Sequence, residues 1–103
     1  MLGEACRLLK ILSFYKNDLY FLPDDYFDMC LVLEEIVLDS NHLLSIPAIP
    51  ISLSQSLVKL HLGNNQISSC GSLCTTKLAG LKQFGVSSRI LNHYYSVLLH
   101  NHI

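Results

Sequence analysis

The hydrophobic and polar positions along the chain repeat every 24 residues. In the clearest copy, which begins at Leu33, apolar residues occupy positions 1, 4, 6 and 11 and an asparagine occupies position 9. The aligned sets are Leu9, Leu12, Phe14, Asn17 and Leu19; Leu33, Ile36, Leu38, Asn41 and Leu43; and Leu57, Leu60, Leu62, Asn65 and Ile67. Self-similarity at a fixed period of this length is the mark of a repeat protein.

Each copy predicts one short β-strand followed by a turn. The alternation around Ile36 and Leu38 puts both on one face of a strand and Val37 on the other. Such a strand cannot bury its apolar side alone, whereas parallel strands stacked from successive copies share one interior. We therefore expect residues 12, 36 and 60 to be neighbours in one parallel sheet.

An asparagine follows each strand, where the chain must turn. Its side chain can satisfy the backbone N–H and C=O groups that the turn leaves in the interior. We expect these residues to form a buried structural ladder made of Asn17, Asn41 and Asn65.

The pattern LxxLxLxxNxL at this spacing resembles that of the leucine-rich repeat proteins. The resemblance covers roughly residues 5–91 and implies an α/β leucine-rich repeat solenoid with a short parallel sheet on its concave face and incomplete caps. The repeats would span 9–32, 33–56, 57–80 and a degenerate 81–91, in which Arg89 replaces the asparagine. The remaining residues, 92–103, form a C-terminal tail.

Two return segments favour a subclass with 24-residue repeats. The ending LPxxxFxx after Phe21 and the stretch IPxIPxSLxxSL from Ile46 resemble small leucine-rich proteoglycans of the extracellular matrix and Toll-like receptor ectodomains. The resemblance implies a secreted protein that binds protein ligands, as collagen, growth factors or pathogen molecules are bound in those families. The chain shows no N-glycosylation sequence, signal peptide or cysteine cap, so its compartment stays open.

Composition narrows the function classes. The chain has 103 residues, enough for one domain, and a formal net charge of -1 without a basic cluster, which argues against nucleic acid and anionic lipid as partners. It holds no apolar run long enough for insertion into a membrane. We find no nucleophile elbow, phosphate-binding loop or paired carboxylates, and so expect neither an enzyme nor a cofactor.

The cysteines and histidines do not predict a metal site. Cys6, Cys30 and Cys70 fall on interior repeat positions, where we expect small buried apolar residues rather than a disulfide framework. Cys70 and Cys74 are four residues apart and could be bridged in an oxidising compartment. The tail histidines His93, His100 and His102 lack a cysteine or carboxylate nearby to complete a ligand set.

The tail from Ile90 to Ile103 has two interpretations. Tyr94, Val97 and Leu98 fall at helical spacing, which is typical of a short amphipathic helix that covers the open end of the array. The alternative is a sequence not selected to fold, such as the end of a truncated product.

The candidate functional site is the solvent face of the sheet, where equivalent positions of successive repeats lie side by side. We expect Lys10 with Glu34, and Glu35 with Lys59, to form cross-strand ion pairs. The expected partner-binding residues are Tyr15, Lys16, Glu35, Val37, Asp39, His61 and Asn64.

Two further function classes remain open from the sequence. The chain could be a fragment of a longer repeat protein without independent activity, prone to self-association through uncapped ends. It could instead be a cytosolic scaffold. The hypothesis that we carry forward is a protein-binding module.

Overall fold

The computed structural model describes residues 3–71 and 78–101 and shows a small α/β domain. Four strands form one sheet in the order β1-β2-β3-β4, and all three neighbouring pairs are parallel. The strands are β1 Ile11–Ser13, β2 Glu35–Val37, β3 Lys59–His61 and β4 Gln83–Gly85. The described helices are two short 3-10 helices, η1 Gly3–Leu8 and η2 Ile51–Leu53, and one α-helix, α1 Ser88–Asn101.

The sheet keeps a register of 24 residues throughout. Leu12 is the partner of Ile36, Ile36 of Leu60, and Leu60 of Phe84. This confirms the expected parallel sheet with residues 12, 36 and 60 as neighbours. The register continues into β4, where the sequence repeat is faint, because Phe84 supplies an apolar residue at the interior position.

The core lies on one side of the sheet, between the strands and the segments that return from one strand to the next. Its largest fully buried side chains are Phe27, Leu33, Ile36, Leu38, Leu43, Leu53, Leu57, Leu60 and Leu62. Burying a side chain of this size stabilises the fold by about 1.5–3 kcal/mol. The return segments are tight turns, as at Pro23, whose C=O accepts the N–H of Tyr26 at 3.0 Å.

The expectation that Cys6 and Cys30 are unpaired apolar residues is wrong, because the two form a disulfide. They occupy the same position in successive 24-residue units, and their Cα atoms are 4.7 Å apart, within the range that a disulfide spans. The spacing that made them look like packing positions therefore also brings them into bonding distance. Cys70 is disulfide-bonded as well, and the expected Cys70 to Cys74 bridge lies outside the described residues.

Helix α1 covers the β4 end of the sheet. It begins at Ser88, earlier than the tail 92–103 delimited from the sequence, and it takes up the position at which Arg89 replaces the asparagine. Ile90 and Tyr94 are buried, and the Tyr94 ring meets the Phe84 ring edge-on at 5.2 Å. No helix in the described part of the chain has the length and apolar character to cross a membrane.

Candidate protein-binding surface

The solvent face of the sheet, here called the outer face, carries the side chains that alternate with the buried ones. In β2 and β3 the central residues Ile36 and Leu60 are buried, while their neighbours on either side are partly exposed. This alternation follows from the two-residue period of a strand. It places Glu35, Val37, Lys59 and His61 together on one surface.

Glu35 and His61 form the closest polar pair on the outer face. The Nε2–H of His61 donates to Oε2 of Glu35 at 3.0 Å, and both side chains are 26% exposed. Lys59, expected to pair with Glu35, is its direct neighbour in the register. Within residues 3–71 and 78–101, however, the ion pair of Glu35 is with His61. The diagonal neighbour two residues along the next strand lies within reach of a long side chain, and Glu35 takes that partner.

Asp39 is fixed at the end of β2 by the next unit. Its Oδ1 accepts the backbone N–H of Gly63 at 2.7 Å, and its backbone C=O accepts the N–H of Lys16 at 3.1 Å. Hydrogen bonds to a carboxylate are stronger than those between neutral groups. Asp39 is therefore held in place between the turns that follow β1 and β3.

Tyr15 and Lys16 form the adjoining part of the surface. Tyr15 is 54% exposed, and the Nζ of Lys16 lies 5.8 Å from the centroid of its ring, a cation–π distance. Lys16, Ser40 and Asn64 all have left-handed backbone conformations, with φ of 56°, 60° and 52°. Because they are 24 residues apart, the same turn recurs in each unit and lines up their side chains in one row.

The asparagines that follow β2 and β3 join successive units. Asn41 is buried; its Nδ2 donates to the C=O of Phe14 at 2.9 Å and of Leu38 at 3.0 Å, and its Oδ1 accepts the N–H of Leu19 at 3.1 Å. Asn65 makes the equivalent bonds one unit later, to Leu38, Leu62 and Leu43.

Asn17, expected in the same ladder, is placed differently. Its side chain is exposed and donates to the C=O of Tyr15 at 3.3 Å, within its own turn. The cross-unit bonds of Asn41 and Asn65 run to the preceding unit, and no strand precedes β1 among the described residues. The position in the array, rather than the residue type, accounts for this difference.

The charged row at the start of the strands contains the expected pair of Lys10 and Glu34, 3.8 Å apart. Both side chains are more than half exposed, so the pair is worth roughly 0–1 kcal/mol. A shallow depression of about 170 Å³ lies beside it, lined by Ile11, Glu34, Glu35, Val58 and Lys59.

A cluster at the side of the sheet was not predicted from the sequence. The ring of Tyr20 stacks on that of His42, with centroids 5.1 Å apart, and Nε2 of His42 lies 3.5 Å from Oδ1 of Asp18. The signal was present in the period, because Asp18 and His42 are equivalent positions in successive units.

Neither a metal centre nor a cofactor site emerges from the described residues. Between residues 3 and 71 and between 78 and 101, no group of three or more His, Cys, Asp or Glu side chains could hold a metal ion. His102 and the side chains of His93 and His100 lie outside the described part. The clearest titration shift belongs to Tyr94, whose pKa is raised by burial.

Comparison with protein-family models, curated proteins and solved structures found no match. The functional interpretation therefore depends on the geometry of the outer face and on the repeat itself.

Proposed function

We propose that the chain is a leucine-rich repeat protein whose outer, concave face binds a protein ligand. The repeat is supported by three features that share the 24-residue period: the strand register, the bonds of Asn41 and Asn65, and the left-handed turns. Together these features are what a stacked array of similar units requires.

The observation that carries the binding proposal is the arrangement of four different side chains on one surface. Val37 and His61 are direct partners across β2 and β3, and Asp39 is bonded to the turns on both sides of it, next to Tyr15. Aromatic, apolar and fixed polar groups in one patch are typical of protein interfaces. Lys16, Glu35 and Asn64 complete the proposed contact surface.

The polar groups of this patch are already oriented before a ligand binds. Glu35 is bonded to His61, and Asp39 to Gly63, so neither carboxylate needs to lose much side-chain freedom on binding. Ordering a flexible side chain at an interface costs about 0.5–1.5 kcal/mol. A surface that has met this cost during folding favours recognition of a partner over an incidental charged face.

An oxidising compartment is the environment that fits this proposal. The disulfide between Cys6 and Cys30 joins the first turn of the chain to the first return segment. Disulfides persist mainly in secreted proteins and in oxidising compartments. This supports the extracellular type of leucine-rich repeat over the cytosolic scaffold.

The test places a photo-crosslinking amino acid at Val37 in one sample of the full chain and at Ile51 in another, each exposed to extracellular proteins in oxidising buffer. Ile51 is 80% exposed and lies in η2, outside the sheet, so it is the matched control. We expect crosslinks to a defined protein from position 37 that are absent from position 51 and that Tyr15→Ala reduces. Equal crosslinking from both positions would contradict binding on the outer face.

A further inference from the structure

The two ends of the sheet differ in how they are covered. At the β4 end, α1 lies against the sheet and buries Ile90 and Tyr94. At the β1 end, η1 covers part of the return segment through the disulfide of Cys6, but no element of the described chain lies alongside β1.

The lack of a neighbour at the β1 end exposes side chains that are interior elsewhere. Leu9 is 37% exposed, whereas Leu33 and Leu57, at the same position of the next two units, are fully buried. The same holds for four more positions of the first unit, which are partly exposed although their equivalents in the second unit are buried: Leu12, Phe14, Leu19 and Leu22. We call these five residues the end face.

Exposed apolar side chains extend the end face at its rim. Ile11 is 61% exposed and Phe21 is 74% exposed. An aromatic side chain alone presents roughly 150–250 Å², so the face and its rim offer several hundred Å² of apolar surface. A standard stable interface buries about 800 Å² on each partner, which is the scale that this region reaches.

The backbone of β1 is also unpaired on this side. In the next three strands the residue at the equivalent position donates its N–H to the preceding unit: Glu35 to Lys10, Lys59 to Glu34, and Gln83 to Val58, each at 3.0 Å. Ile11 is the equivalent residue in β1, and no strand precedes it in the described part of the chain. Such an edge is a template for pairing with another strand.

A second copy of the chain satisfies both requirements. Because α1 covers the β4 end, copies cannot add head to tail into a filament through this edge. A two-fold axis instead places one end face against the other and pairs β1 with β1 in antiparallel fashion, and the assembly closes at two copies. Charge does not oppose this, because the net formal charge is only -1 and the nearby Glu4 and Lys10 are paired with Arg7 and Glu34.

We propose that the chain forms a two-fold dimer through its end face and the β1 edge. The surface is separate from the ligand-binding patch, so this inference does not rest on the proposed function. Dimerisation removes the apolar end face from water and gives the N–H of Ile11 an acceptor.

The test is sedimentation equilibrium of the full chain, oxidised, over the micromolar to submillimolar range. The variants are Ile11→Lys and Phe21→Lys, with Ile51→Lys as the matched control, since it makes the same kind of change at an exposed apolar residue outside the sheet. Circular dichroism establishes that each variant is folded. We expect wild type and Ile51→Lys to dimerise with similar Kd, and the two end variants to raise Kd by about tenfold or more.

Hydrogen exchange supplies the geometric readout. The amides of Ile11 and Ser13 should gain protection as concentration rises through the dimer Kd. A chain that is monomeric throughout, association that Ile51→Lys weakens as much as Ile11→Lys, or a dimer without added protection in β1 would each overturn the proposal. Crosslinking at Val37 reports on ligand binding independently, so failure of one proposal does not affect the other.

Discussion

Replacement of Asn41 by leucine tests how the units of this fold are joined. The asparagine is buried, and its side chain serves two backbone C=O groups, of Phe14 and Leu38, and one N–H group, of Leu19. Leucine has a similar size but can neither donate nor accept. Asn41→Leu therefore strands three backbone groups without creating a large cavity.

The magnitude follows from the cost of unpaired groups. A buried backbone group without a partner costs about 1–3 kcal/mol, so the variant should lose about 3–6 kcal/mol. A chain of this length is stable by roughly 5–15 kcal/mol in total. Asn41→Leu should therefore be largely unfolded or close to the unfolding midpoint at room temperature.

Asn17→Leu is the matched control, because it changes the same residue type at the same repeat position. Asn17 is exposed and makes one long hydrogen bond to Tyr15 within its own turn, so we expect a change within about 0.5 kcal/mol. Urea unfolding followed by circular dichroism gives both values. Equal losses in the two variants would refute the view that the asparagine acts through bonds to the preceding unit.

The remaining predictions concern the turn, the disulfide and pH. Ser40→Gly should stabilise by about 0.5 kcal/mol in urea unfolding, because φ of 60° is strained for serine and free for glycine, less the entropy that glycine adds to the unfolded chain. Replacing Cys6 and Cys30 by alanine should cost about 3 kcal/mol, since their disulfide closes a loop of 24 residues, and reductant should then no longer change the wild-type difference. Burial raises the pKa of Tyr94 above 10.0, so the folded chain keeps that proton to higher pH; stability should be complete below 10.0 and fall above it, and Tyr94→Phe should lessen this fall between urea titrations at pH about 8 and about 11.

The sheet could be predicted from the sequence because its register is a property of the repeat. The partnership of Leu12, Ile36 and Leu60 follows from a period that also places their neighbours on the opposite face. The start of α1 at Ser88 could not be fixed in this way, because the pattern of 81–91 continues the repeat faintly up to the point where the backbone becomes helical.

The disulfide and the outer-face pairs show what a period leaves open. Cysteine at an interior position has the size and polarity of a packing residue, so the sequence does not distinguish a buried thiol from half of a bridge to the next unit. The register likewise gives Lys59 as the direct neighbour of Glu35, but a long side chain also reaches the diagonal position, and Glu35 contacts His61 there. Which of two reachable partners is chosen depends on side-chain geometry.

The two proposed surfaces have a joint consequence that follows from symmetry. A two-fold axis that pairs the β1 edges in antiparallel fashion joins two four-stranded sheets edge to edge, with both outer faces on the same side. Tyr15 and Lys16, which follow β1, then lie near the junction, whereas His61 lies one strand further out in each copy than Val37. A ligand that contacts both copies would bind more tightly above the dimer Kd than below it, since its second contact becomes intramolecular. The end face would thus act on recognition by presenting two patches together, without touching the ligand.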